Sequence, residues 1–143
     1  MRSRSRNGQQ LSESLANGKL TVQQCDACSR IQYPPAEVCR SCLSDKLSWH
    51  GELTDGKVIA CVAVHRSYAD DFADGGPWFI ASVAIAPGIT CYAHTANYLE
   101  ADTTVQLVPI VDRLNDGVRG AVRTWEEKPQ LLARFHRQRL INR

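Results

Sequence analysis

Four cysteines near the start of the chain limit its possible folds more than any other feature. They read Cys25-Asp-Ala-Cys28, then ten residues, then Cys39-Arg-Ser-Cys42. Two Cys-x-x-Cys knuckles at this separation can converge on one tetrahedral Zn²⁺, a redox-silent ion that prefers thiolates at about 2.3 Å. Each knuckle sets two sulfurs on one side of a tight turn. The intervening residues are enough to return the second knuckle antiparallel to the first. Within them, Ile31-Gln32-Tyr33-Pro34-Pro35 supplies a short strand and a stiff reversal. Four thiolates leave no open coordination position, so such a site holds shape and performs no chemistry. The alternative is two disulfides in a secreted domain.

The first residues, Met1-Arg-Ser-Arg-Ser-Arg6, run into Asn7-Gly-Gln-Gln10 and not into an apolar stretch, which is not the pattern of a secretory signal. Thiolates in a reducing compartment bind metal in preference to cross-linking, so a cytoplasmic protein is expected. No run approaches the roughly eighteen apolar residues of a membrane span. At 143 residues and 43% apolar, the chain can build one real core with a small module attached.

The net charge of +2 hides an uneven distribution. Residues 1–50 carry seven Lys/Arg against four Asp/Glu, residues 51–127 five against eleven, and residues 128–143 five against none. The middle is acidic and both ends are basic.

Residues 1–8 have nothing to bury and read as disordered. In residues 9–17, Leu11 and Leu15 fall at i and i+4 before an Asn17-Gly18 cap, giving a short helix that must dock to persist. Lys19 to Gln24 alternates and leads as a strand into the first knuckle. Five further strands are expected at Lys57–His65, Phe79–Ala86, Ile89–Thr95, Thr104–Leu114 and Val118–Trp125. Between the first two lies a loop from Tyr68 to Trp78, and the turns Pro87-Gly88 and Asn115-Asp116-Gly117 close hairpins. The expected fold is mainly β: a short N-terminal helix (1–18), a rubredoxin-like zinc ribbon (19–50), a five-stranded OB-fold barrel (51–127), and a basic tail or short helix (128–143). A half-open sandwich is the alternative to the barrel. In the last segment Leu131 and Phe135 stand at i and i+4, with Leu132 beside them and Pro129 at the helix start.

The order of these parts resembles a known family. A short helix precedes Leu20-Thr-Val-Gln-Gln-Cys25-Asp-Ala-Cys28. There follow Tyr33-Pro34-Pro35, Cys39-Arg-Ser-Cys42, a strand ending Val64-His65-Arg66, and the entry Pro77-Trp78-Phe79-Ile80-Ala81. Over roughly residues 10–125 the chain resembles the zinc-ribbon/OB-fold, acyl-CoA-associated proteins that act as accessory subunits of thiolase-like enzymes. Ser29 departs from the pattern, since a Gly commonly follows the first knuckle. The resemblance implies a non-catalytic subunit in a hetero-oligomer with a thiolase-like acyltransferase or aldolase. Such a subunit binds or channels an acyl-CoA for carbon–carbon bond cleavage or formation, and the partner supplies the reacting residues.

The chain's own residues agree with a non-catalytic role. Cys61 and Cys91 lie inside apolar strands, where a lone Cys is ordinarily a small core residue. No nucleophile elbow, phosphate-cradling glycine loop or His-Glu-x-x-His occurs. Candidate acyl-CoA contacts are His65, Arg66, Trp78 and Arg113. A guanidinium pairs bidentately with phosphate, and an indole stacks on a base. Packing within the core is the competing reading for Trp78, and Trp49 is expected where ribbon meets barrel. The rival function is nucleic-acid binding, which zinc ribbons and OB-folds also serve. An acidic barrel with few aromatics argues against it, because a groove that follows a phosphate backbone needs positive charge.

Overall fold

The computed structural model describes residues 5–50, 54–66, 76–112 and 117–136. Helix α1 (Arg6–Ala16) opens the fold. A three-stranded antiparallel ribbon sheet follows, made of β1 (Val22–Cys25), β2 (Ile31–Gln32) and β3 (Leu47–His50), in the order β2-β1-β3. The second unit is a closed five-stranded barrel of β4 (Asp55–Val64), β5 (Trp78–Ala86), β6 (Ile89–Thr95), β7 (Thr104–Val111) and β8 (Gly117–Val122), in the order β4-β5-β6-β8-β7. A 3₁₀ turn (Trp125–Glu127) leads into helix α2 (Lys128–His136).

The helix begins earlier than its apolar pattern implies. Ser5 is the N-cap and its hydroxyl accepts the Gly8 N–H at 3.1 Å, so residues 5–8, expected to be disordered, belong to the helix. At the other end the Asn17 cap forms as expected, with Lys19 N–H returning to Ser14 O. Leu15 is buried and Leu11 packs beside it, which gives the short helix its dock.

β6 spans Ile89–Thr95 as expected, and the two-residue Pro87-Gly88 loop joins it to β5. Other boundaries differ by a few residues. β1 starts at Val22 and not Lys19, β4 runs from Asp55 to Val64, and β5 includes Trp78. β7 ends at Val111 and β8 at Val122, where the expected strand ran on to Trp125. There Glu127 accepts the Arg123 N–H at 2.9 Å and its Nε at 2.6 Å, turning the chain into α2 before the strand can continue. β3 was not foreseen. It forms because its backbone pairs with β1 over four residues, Val22–Cys25 against Leu47–His50. The loop at 67–75 and the turn residues Asn115 and Asp116 lie outside the described residues, as does the basic tail beyond 136.

Four of the five barrel pairings are antiparallel, and three are long ladders. The closing pair, β6 with β8, is parallel and is held by the single register pair His94↔Gly120. The interior contains Val58, Cys61, Ala81, Val83, Cys91, Ala93, Val105, Leu107 and Ala121, and this core continues into Leu15 and Leu20. A second apolar layer lies outside the barrel, where Leu131 and Phe135 of α2 cover Trp78, Val108, Ile110 and Val122.

Two glycines of β8 permit both helices to sit close. A Cβ on Gly117 would lie 2.1 Å from Ser12 O and 2.4 Å from Ala16 N, so α1 rests directly on the backbone. The Ser12 hydroxyl accepts from Gly117 N–H at 3.1 Å and donates to Gly117 O at 3.4 Å. A Cβ on Gly120 would meet Leu131 of α2 at 2.6 Å. No described helix is long and apolar enough to cross a membrane.

Candidate metal centre

The Sγ atoms of Cys25, Cys28, Cys39 and Cys42 lie within 4.8 Å of one another. The pairs across the two knuckles, Cys25 with Cys42 and Cys28 with Cys39, are each 3.6 Å apart. A tetrahedral site with Zn–S bonds of about 2.3 Å has edges of about 3.8 Å, so the observed spacing fits the ion. All six cysteines of the chain are free, and the four are arranged to bind zinc.

The two knuckles share one backbone pattern. Ser29 N–H bonds to Cys25 O at 2.9 Å, and Leu43 N–H bonds to Cys39 O at 3.0 Å. Cys25 N–H bonds to Arg30 O at 2.9 Å, and Cys39 N–H bonds to Ser44 O at 2.8 Å. Closing each turn this way places the residue after the second cysteine at positive φ, 62° at both Ser29 and Leu43. Ser29 therefore adopts the conformation that a Gly would take there at lower cost. Leu43 does the same at the second knuckle, and nothing in its identity signalled it.

Backbone donors also tune the sulfurs. The N–H groups of Cys42 and Ser41 aim at Cys39 and pull its thiol down to about 6. At Cys42 the Ser44 N–H favours the thiolate, but the crowding of the other three sulfurs outweighs it and the thiol is pushed up to about 11. Four thiolates at this spacing resist ionising together, and a dication bound among them removes that resistance.

Two buried amides hold the excursion between the knuckles. Gln23 and Gln32 face each other across β1 and β2, with Gln32 Nε2 donating to Gln23 Oε1 at 2.6 Å. Gln23 also spans the Ala36 backbone, donating to its carbonyl at 3.0 Å and accepting its N–H at 2.9 Å. Gln32 Oε1 accepts Arg40 N–H at 3.0 Å beside the second knuckle. Trp49, expected where ribbon meets barrel, reaches α1, its Nε1 donating to Gln10 Oε1 at 3.2 Å.

Residues 12–48 match the family model of the ChsH2 rubredoxin-like zinc ribbon domain. The segment is similar to the ChsH2-type zinc ribbon. The fold of the ribbon and barrel together is similar to a solved structure described as an Ltp2-ChsH2(DUF35) aldolase. That match has a TM-score of 0.73 and 18% identity over 85% of this chain and 97% of the other. No curated protein matches the chain.

Beyond the ribbon, the candidate ligand residues occupy different settings. His65 and Arg66 are exposed just past the end of β4, and Val64 pairs with Trp78, so these three sit at one end of the β4–β5 hairpin. Trp78 itself is 5% exposed, its ring 5.7 Å from Phe135 and 5.1 Å from the Arg134 guanidinium. Arg134 donates to Pro77 O and, at 3.3 Å, to Ala96 O. Arg113 lies outside the described residues. Cys61 and Cys91 are buried in the barrel core.

Proposed function

We propose that this chain is a non-catalytic, zinc-binding subunit of a thiolase-like complex, helping to bind or channel an acyl-CoA for carbon–carbon bond cleavage or formation. The observation that carries the reading is the ChsH2-type ribbon at residues 12–48 joined to a barrel whose fold follows a structure described as an aldolase of two named components. The barrel, with strand order β4-β5-β6-β8-β7 and five strands, is read as an OB-fold. The ribbon at 19–50 and the barrel at 51–127 are separate units in this reading, and the complex is cytoplasmic. His65, Arg66 and Arg113 are the proposed contacts to coenzyme A phosphates. Trp78 serves by shaping the end of the hairpin beside His65, since its ring is already covered by Phe135. The role of the zinc is structural.

Affinity purification of the zinc-loaded chain from its native host tests the proposal. A larger thiolase-like protein is expected in stoichiometric amount at physiological salt. Recovery of RNA alone, or of no partner, overturns the proposal, as does robust acyl-CoA turnover by the isolated chain.

A further inference from the structure

The weakest closure of the barrel coincides with a buried cation. Among the described residues, β6 and β8 share the single register pair His94↔Gly120, where the other barrel pairings share three or more. Beside this pair, α1 and, from the ribbon, Tyr33 bound a cleft of about 500 Å³ against β6 and β8. This volume lies within the range of small-ligand sites. Its wall is largely apolar, with Leu11, Leu15, Ile80 and Val118, and it contains no Asp or Glu.

Arg119 lines this cleft and is 6% exposed. Strand alternation puts it on the same face of β8 as Ala121, which belongs to the barrel core. Its guanidinium carbon is 4.7 Å from the centre of the Tyr33 ring. Arg119 also hydrogen-bonds the Cys91 thiol, which burial pushes up while the guanidinium opposes that shift. Among the described residues, Arg123 pairs with Glu127 and the His50 ring lies 3.7 Å from the Asp26 carboxylate, and no ion pair involves Arg119. A cation held away from water without a counter-charge is costly, and an anion that enters the cleft relieves that cost.

We propose that the cleft binds a small ligand with an apolar body and a single carboxylate, anchored by Arg119. A planar guanidinium lying against an aromatic ring presents its N–H edge for a bidentate carboxylate bond. One cation suits one negative charge. A phosphate would call for further donors, and the Gly8 N–H at the start of α1 is already taken by Ser5 Oγ. The apolar wall takes the body of the ligand. This inference does not depend on the proposed partner, and the isolated chain suffices to test it.

Calorimetric titration of the zinc-loaded full chain with octanoate, octanol and octanoyl-CoA separates the possibilities. Octanoate is expected to bind one per chain and to saturate below about 1 mM. Octanol should bind at least about tenfold more weakly for want of the charge-assisted bonds. Arg119→Gln should weaken octanoate by a similar factor with zinc content unchanged. Should that variant fail to fold, Leu11→Trp, which fills the cleft from α1, is expected to abolish octanoate binding while the zinc and the far-ultraviolet spectrum are retained. The proposal is overturned by no saturation up to about 10 mM, by equal affinity for octanol, or by unchanged binding in folded Leu11→Trp. Binding of octanoyl-CoA without octanoate also overturns it and assigns the cleft to the thioester.

Discussion

Gln23 shows how much one buried polar side chain can organise in a small module. Its amide meets Gln32 and both backbone groups of Ala36, and it is 4% exposed. Replacing it with leucine keeps the volume but strands the Ala36 N–H and C=O and the Gln32 amide, each costing about 1–3 kcal/mol. Gln23→Leu should therefore lower the urea midpoint of the ribbon measurably while the chain still binds one zinc. An unchanged midpoint would show that water replaces the network at no cost. None of this was legible in the sequence, where glutamine in a strand reads as a solvent-facing residue. The cysteines were legible because coordination chemistry fixes their type and spacing together. The roles of Gln23, Gln32 and Leu43 follow only from the path that the backbone takes around the metal. Arg119 offered no such signal, since alternation sets it with Arg123 on the side opposite Val118 and Val122, the side a strand ordinarily turns to solvent.

At the scale of elements, the strands were the most readable part, since alternation and turn chemistry act locally. β6 and its Pro87-Gly88 loop came out as expected, and the i, i+4 pairs Leu11/Leu15 and Leu131/Phe135 fall on the packed faces of their helices. β3 was missed because Leu47-Ser-Trp-His50 has little strand character of its own and is held by pairing with β1. The docking of α1 was foreseen only as a necessity, without a surface. That surface is the backbone of Gly117, whose place beside Asn115-Asp116 suggested a turn and hid its second task. Gly117→Ala puts a methyl group into the backbone of α1 and should lift the helix, costing about 1–3 kcal/mol. Hydrogen exchange gives the direct reading: amides of α1 should lose protection while those of β4 and β5 keep theirs. If protection in α1 is unaffected, the helix does not depend on this close approach.

At the scale of the molecule, the ribbon depends on its metal and the barrel on its own closed ladders. Stripping the zinc with a thiol-reactive mercurial and a chelator should release one equivalent and unprotect β1, β2 and β3 to exchange. The long β4–β5 and β5–β6 ladders should remain protected. Collapse of the barrel along with the ribbon would instead mark one cooperative unit, joined through the core that runs from Leu15 and Leu20 into the strands.

The seat of α1 on β8 has a consequence for how the chain is made. Ser12 and Gly117 are 105 residues apart, so α1 lacks this seat until β8 emerges from the ribosome. At roughly 5–20 residues per second that wait lasts about 5–20 s. All four cysteines have emerged long before it ends. The ribbon can therefore load its zinc before α1 has this seat, and β8 completes the anchorage of the helix.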